Sequence, residues 1–217
     1  MTYPEHVIAQ FHTISTASVA DAVDLIVGRR GYLDHAVKPR INDKKVVGPA
    51  VTVAEGPADE KLPPTHALEL IDASPAGSVV VIATGGECDL AVWGGLMTAG
   101  AVANGLAGAV LDGGVRDVTE IRRDYDFPVY ARSVSPGTTV GRFRTLASNV
   151  PVTISGVTVN PGDLVVADVD GVVVVPQAHV EAVLAMSLDI EKKELEQAKY
   201  IRETGSLAAG LAKYNRI

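Results

Sequence analysis

The amino-acid sequence predicts an α/β fold built around a parallel sheet, as one domain over 1–217 that ends in a long helix. Three observations predict it. Between Ser78 and Ala131, apolar runs and helical patterns alternate as strand, helix, strand, helix, strand with brief connections, the pattern of a parallel core. After Gly137 the texture is β only, in short β-branched runs split by turn signals. From about Gln177 to Arg202 a single helical pattern runs without a breaker.

The elements follow in order. Ser15 or Thr16 caps a helix whose apolar positions recur from Val19 to Ile26. Lys45 to Val53 reads as a strand before Gly56-Pro57, and Pro63-Pro64 opens a short helix through Ala67 to Ile71. Ser78 to Ala83 is a fully buried strand ending at Gly85-Gly86. Leu90 to Ala103 is read as a helix, and Ala107 to Leu111 as a second buried strand ending in Asp112-Gly113-Gly114. Val118 to Tyr125 is a charged helix and Pro128 to Ala131 a short strand. Val150 to Val159, Asp163 to Ala167 and Gly171 to Val175 are strands. Asn160-Pro161-Gly162-Asp163 suits a type II turn, and Asp170-Gly171 a tight hairpin. The last helix turns polar from Glu191 to Lys199 and lacks a core-facing stripe there, so segment 177–217 is expected to pack on a neighbouring subunit.

Composition excludes several classes. The net charge is −7 and no basic cluster exceeds two residues, which speaks against nucleic-acid binding. Cys88 is the sole cysteine, so no internal disulfide forms; a buried thiol is expected there. The start, Met1-Thr2-Tyr3-Pro4, has no signal-peptide pattern, and a cytoplasmic location is expected. The uncharged run Leu90 to Leu111 is too rich in glycine for a membrane span.

The chemistry narrows further. No lysine lies between Lys61 and Lys192, so the α/β core offers no Schiff-base nucleophile. His6, His12, His35, His66 and His179 are scattered without zinc spacing. There is no GxSxG elbow, no phosphate loop and no Gly-x-Gly, so neither a nucleotide cofactor nor an adenosyl-methionine site is expected.

The densest unusual segment is Gly108 through Asp117. A buried strand ends, Gly113-Gly114 permit a sharp turn, and Arg116-Asp117 stand where the next helix begins. Ligands of open α/β sheets bind at such carboxyl ends. Arg116 brings a planar fork for a carboxylate. Asp117 brings a hard oxygen for Mg²⁺. The plainer alternative is that Asp117 caps the helix and Arg116 makes a surface pair.

In Gly105–Asp117 and in Ser18–Ala22, Ala91–Gly95, Phe127–Arg132, Val159–Asp163 and Ala167–Pro176, the chain resembles the RraA-like proteins. That family includes the 4-hydroxy-4-methyl-2-oxoglutarate/4-carboxy-4-hydroxy-2-oxoadipate aldolases and the regulators of RNase E activity. The resemblance implies an αββα sandwich of the swivelling β/β/α kind, assembled as a homotrimer or hexamer with sites at subunit interfaces. It implies that Asp117 is the ligand of Mg²⁺ or Mn²⁺ and Arg116 the substrate-binding arginine. Backbone amides from Gly94, Gly95, Leu96 and Met97 would hold a pyruvyl carboxylate. A glutamate from a neighbour's C-terminal helix, Glu194 or alternatively Glu191, would reach the metal's waters. The family's aldolases also carry an acid twenty-one positions before the arginine; here that position is Gly95, and Asp89 or Glu87 is the candidate replacement.

The activity so implied is class II pyruvate aldolase cleavage of a 4-hydroxy-2-keto acid, with oxaloacetate decarboxylation by the same electron sink. Two rival expectations stand beside it. One is a non-catalytic regulator that binds an RNase E-type protein; the other is a lyase or isomerase of sugar acids.

Overall fold

Residues 2–215 are described by the computed structural model. From the N-terminus run α1 (Glu5–Thr13), α2 (Thr16–Val27), β1 (Lys38–Pro39), β2 (Val46–Pro57), α3 (Thr65–Ala73) and β3 (Val79–Ala83). Next come β4 (Ala91–Trp93), α4 (Gly95–Ala103), β5 (Gly108–Val115), α5 (Val118–Glu120) and β6 (Val129–Val134), with a π-helical turn, Ile121–Tyr125, continuing α5. Then follow β7 (Phe143–Ser148), β8 (Val152–Ile154), β9 (Val157–Val159), β10 (Leu164–Asp168) and β11 (Gly171–Val175). Helices α6 (Val180–Thr204) and α7 (Leu207–Tyr214) close the described chain.

The main sheet runs β1-β6-β5-β3-β2-β10-β11, with β4 beside β5 and β7 beside β2. Its centre is parallel: β2 with β3, β3 with β5, and β5 with β6. The later strands join antiparallel, β10 against β2 and β11 against β10. That mixture follows from the connections, since helices link the parallel strands whereas a two-residue turn joins β10 to β11.

Side-chain parity along the strands builds the layers. On β3, Val80 and Ile82 pack with Ala67, Leu70 and Ile71 of α3, while Val79 and Val81 point to the opposite face. That inner face also receives Val165 and Ala167 of β10 and is closed by the β8–β9 hairpin through Val152, Ile154, Val157 and Val159. Leu164 and Val166 of β10 turn the other way, onto Val19, Ala22 and Val23 of α2 and Val183 and Leu184 of α6. The order of layers is therefore helix, sheet, sheet, helix. Each fully buried Val, Leu or Ile contributes about 1.5–3 kcal/mol, so three such clusters stabilise the fold with few aromatics.

Several elements differ from the sequence reading. Leu90 to Ala103 is not one helix: Ala91–Trp93 form β4, and α4 starts only at Gly95. Apolar runs of this length fit either state, and pairing with β5 decides it. Strand β5 does not end at Leu111 but continues through Asp112-Gly113-Gly114 to Val115. The glycines there admit a neighbouring chain rather than a turn: a Cβ on Gly114 would lie 2.9 Å from the Leu90 carbonyl oxygen. The predicted strand Val150–Val159 is a hairpin with Ser155 and Gly156 at positive φ. Strands β1 and β7 and helices α1 and α7 are additions. The Asn160–Asp163 turn has the expected form, with Gly162 at φ 91° and the Asp163 N–H bonded to the Asn160 carbonyl at 3.0 Å. In the β10–β11 hairpin Asp168 pairs with Gly171, so Val169-Asp170 are the central residues, one place earlier than expected. Ser15, not Thr16, caps α2, its Oγ accepting the Ser18 N–H at 3.2 Å.

The C-terminal segment is apolar first and polar later, as its sequence suggests. Val180, Val183, Leu184, Ser187 and Ile190 are buried at helical spacing. Beyond them α7 folds back on α6, where Gly210 lies so close that a Cβ would come within 2.6 Å of Ile201 Cγ1. Residues 216–217 of the predicted segment lie outside the described residues. Among the described residues no helix is long and apolar enough to cross a membrane.

Candidate functional site

Strand β4 brings two distant segments together. It runs parallel to β5, pairing Ala91 with Gly114 and Trp93 with Val115, and the Arg116 N–H bonds the Trp93 carbonyl at 3.0 Å. The residues that follow each strand, Gly94-Gly95 and Arg116-Asp117, are thereby laid side by side. Trp93 is anchored beneath them. Its ring stacks on Phe127 at 6.1 Å, and its Nε1–H donates to Thr98 Oγ1 at 2.8 Å. Thr98 in turn donates to the Gly94 carbonyl at 3.0 Å, which fixes the first turn of α4.

Asp117 occupies the N-cap position of α5 yet makes no side-chain cap there. Its backbone is left-handed, φ 57° and ψ 29°, a conformation that costs an ordinary L-residue roughly 1–2 kcal/mol. The turn aims its carboxylate across the gap instead, where Oδ2 accepts the Gly95 N–H at 3.0 Å. Arg116 Nε lies 3.5 Å from the same oxygen, and both side chains are partly exposed, at 43% and 38%. So the capping alternative does not describe this carboxylate. Gly94 is part of the fit: a Cβ there would stand 2.7 Å from Asp117 Oδ2 and 3.1 Å from Arg116 Nε. Gly94 and Gly95 are buried, Met97 is half-buried, and Leu96 projects at 89% exposure. First-turn N–H groups of a helix have no intrahelical acceptor, so this edge favours an anion.

The sequence reading did not single out Glu120. Its carboxylate is what stands against Gly95: an added Cβ would lie 2.8 Å from Glu120 Cδ and 3.1 Å from Oε2. The signal available was spacing, since residues three apart on a helix share a face.

Asp89 and Glu87, the expected replacements for the missing acid, sit in a loop strapped to β5 and β6. Asp112 Oδ2 accepts the Gly86 N–H at 2.8 Å, Ser133 Oγ donates to the Cys88 carbonyl, and Ser135 Oγ donates to the Asp89 carbonyl at 2.5 Å. Glu87 Oε1 accepts the Asp89 N–H at 2.7 Å. Neither carboxylate is among the atoms nearest Gly95; Glu120 fills that place. Cys88 is exposed rather than buried, because the loop rides on the outside of the sheet.

The two candidate glutamates of α6 differ. Glu191 Oε1 accepts the Ser15 N–H, the Ser15 hydroxyl and the Ser18 hydroxyl, each at 2.9 Å. Burial works against its charge, but these bonds and Lys45 outweigh it and hold the carboxyl below its ordinary value. Glu191 thus ties α6 to the cap of α2 within its own chain. Glu194 lines an apolar groove of about 300 Å³ with Ile201 and Leu211. A cavity of about 450 Å³ lies elsewhere, between Thr16, Tyr32 and Val172. Its cations are engaged, Arg30 with the Tyr32 carbonyl and Lys38 with the Val169 and Asp170 carbonyls. Among the described residues no group of three or more His, Cys, Asp and Glu side chains converges as a metal site.

A family model described as RraA-like, Aldolase/RraA, matches residues 16–174. Protein DlpA of Legionella pneumophila subsp. pneumophila is 34% identical over 202 residues, 93% of this chain; the chain spans only 32% of that relative's length. A protein of Halalkalibacterium halodurans named as a candidate 4-hydroxy-4-methyl-2-oxoglutarate aldolase is 37% identical over 180 residues, 82% of this chain and 80% of its own. The crystal structure of Streptomyces coelicolor RraAS2, described as an unusual member of the RNase ES inhibitor RraA protein family, superposes with a TM-score of 0.82. It is 26% identical, and the match covers 91% of this chain and 98% of that one.

Proposed function

The chain belongs to the RraA-like family, and on that premise we propose that it is a divalent-metal-dependent lyase releasing pyruvate from a 4-hydroxy-2-keto acid. The observation that carries the reading is the Asp117 carboxylate, turned away from its own helix and held by the Gly95 N–H beside the Arg116 guanidinium. The name of the Halalkalibacterium relative supports the same substrate class.

The donor set fits Mg²⁺ or Mn²⁺. Asp117 offers hard carboxylate oxygen, and Mg²⁺ commonly takes one or two protein carboxylates and keeps its waters. Asp117 would hold the ion, and Glu194 from a neighbouring copy is the candidate to reach its waters. Glu191 is the alternative, though already bonded at home. When bound, the ion supplies the electrophile that draws electrons from the breaking bond into the keto acid. The remaining work falls to the chain itself. Arg116 receives the substrate carboxylate through its fork, and the N–H groups of Leu96 and Met97, in the first turn of α4, lie along the same edge. Arg116 also faces the negative charge that develops on the keto oxygen as C3–C4 breaks. Oxaloacetate makes the same demand, with carbon dioxide leaving in place of the carbonyl product. No part of this needs a nucleotide cofactor. The exposure of Leu96 beside the site supports closure by a second copy in a trimer or hexamer.

The test is pyruvate release from 4-hydroxy-4-methyl-2-oxoglutarate and from oxaloacetate, with Mg²⁺, Mn²⁺ or EDTA. Asp117→Asn and Arg116→Ala should each lower kcat/KM by about 100-fold or more. Turnover that ignores EDTA, or is equal in Asp117→Asn, removes the reading. A second reading draws on the RraAS2 likeness and on glycine at position 95: a protein-binding regulator of an RNase E-type enzyme. Co-sedimentation with such an endonuclease, in a chain inert toward both keto acids, would favour it. A lyase or isomerase of sugar acids would use the same residues and appear as turnover of those acids alone.

A further inference from the structure

Glu120 is half-buried, and among the described residues its carboxylate accepts no hydrogen bond and forms no ion pair within 4 Å. Arg123, the cation whose field it feels, is already bonded to Asp124 through two nitrogens at 2.7 and 2.6 Å. The carboxylate nevertheless has a defined place. It presses on Gly95, the residue whose N–H holds Asp117, so both carboxylates meet the start of α4. Two residues separate them: Asp117 stands at the N-cap of the α5 segment and Glu120 at the end of its first turn. The π-helical turn that begins at Ile121 follows directly, and such turns recur at functional sites.

The other ionisable groups nearby are committed. Asp117 is bonded to Gly95 and approached by Arg116, arginine keeps its proton, and Asp112 is buried against Arg132 at 2.6 Å. Resting on the lyase reading above, we infer that Glu120 is the proton carrier of this site. As C3–C4 breaks, Glu120 takes the proton of the C4 hydroxyl, and the electrons of that O–H bond close the new carbonyl. The pair from C3–C4 passes into the pyruvate enolate, and Glu120 returns the same proton to C3. Atoms and electrons balance without an oxidant, a reductant or a second substrate. The space beside Gly95 holds one carboxylate. It is delivered from position 120, and a side chain at position 95 would collide with it.

The experiment follows exchange of the pyruvate methyl protons with deuterium oxide by NMR, together with Mn²⁺ binding measured calorimetrically with the metal alone. Glu120→Gln should slow exchange and cleavage by about 100-fold or more, chiefly in kcat, while Mn²⁺ affinity stays within about threefold. Glu120→Asp should keep part of the rate, which a space-filling role would not predict. Gly95→Asp should lower the melting temperature through its clash, and Gly95→Asp/Glu120→Ala should regain stability and exchange at least about 10-fold faster than Glu120→Ala. Wild-type exchange in Glu120→Gln, with the parent protein active, overturns the inference and leaves the lyase reading standing. Loss of Mn²⁺ in Glu120→Gln to the extent seen in Asp117→Asn also overturns it, because Glu120 would then be a ligand. A parent protein without metal-dependent exchange or cleavage overturns both.

Discussion

Glu55 carries its carboxyl group into the protein without a partner: it is 7% exposed, and neither oxygen is hydrogen-bonded among the described residues. Burial pushes its pKa up from 4.5 to about 7. The folded state therefore holds this proton more tightly than the unfolded chain does. The group's contribution is fully present below about pH 4.5 and is lost as pH rises through 7, by roughly 3 kcal/mol at pH 8. Glu55→Gln removes the titration, so the fall in stability between pH 5 and pH 8 should shrink by up to about that amount. Urea denaturation at pH 5, 6.5 and 8 measures it, and an unchanged pH slope would contradict the argument. The site residues work on a different economy of space. At Gly94 and Gly95 a single added carbon would meet Asp117, Arg116 or Glu120, so the site is specified as much by absent side chains as by present ones.

Between elements, the Asp112–Arg132 pair holds β5, β6 and the loop before β4 in one arrangement. Asp112 is nearly inaccessible; it bonds Arg132 Nε at 2.6 Å and the Gly86 N–H at 2.8 Å, while Arg132 also donates to Ser155 Oγ at 2.7 Å. Asp112→Ala leaves the largely buried Arg132 guanidinium with only the half-exposed Asp34 carboxylate, 3.5 Å away, as counter-charge and should cost about 3 kcal/mol. Asp112→Ala/Arg132→Met should cost clearly less than the two single changes added together, by denaturant titration. The sequence made this level legible in part. β3, β11 and the parallel core follow from β-branched runs and short connections, local properties of the chain. The Arg116-Asp117 pair stood out because it follows a buried strand. Three things were not legible, and each depends on a partner distant in sequence. Ala91–Trp93 is a strand because β5 lies beside it. Gly113-Gly114 stay in the strand because the Glu87–Leu90 backbone approaches them. Glu120 matters because Gly95 leaves room for it. A single sequence shows the glycine but not what fills its place.

For the whole molecule, the fold and the proposed ion have separate supports. Three hydrophobic clusters tie helices and strands together, and none of them contains Asp117 or Glu120. Chelation should then leave the far-UV circular dichroism unchanged, unlike a small domain folded around its metal. An ion that binds the native state alone still shifts the folding equilibrium by mass action, about 2.7 kcal/mol at a hundred times its Kd. For a chain of this length that corresponds to a rise in Tm of roughly 5–10 °C. Calorimetric scans across a Mn²⁺ or Mg²⁺ titration should show the rise in the parent protein, its reversal by EDTA, and its absence in Asp117→Asn. Because Asp117 already spends backbone strain on its left-handed turn, Asp117→Asn should also melt close to the metal-free parent, asparagine tolerating that conformation. A Tm that rises equally in both proteins would place the ion elsewhere, and with it the electron sink on which the lyase reading depends.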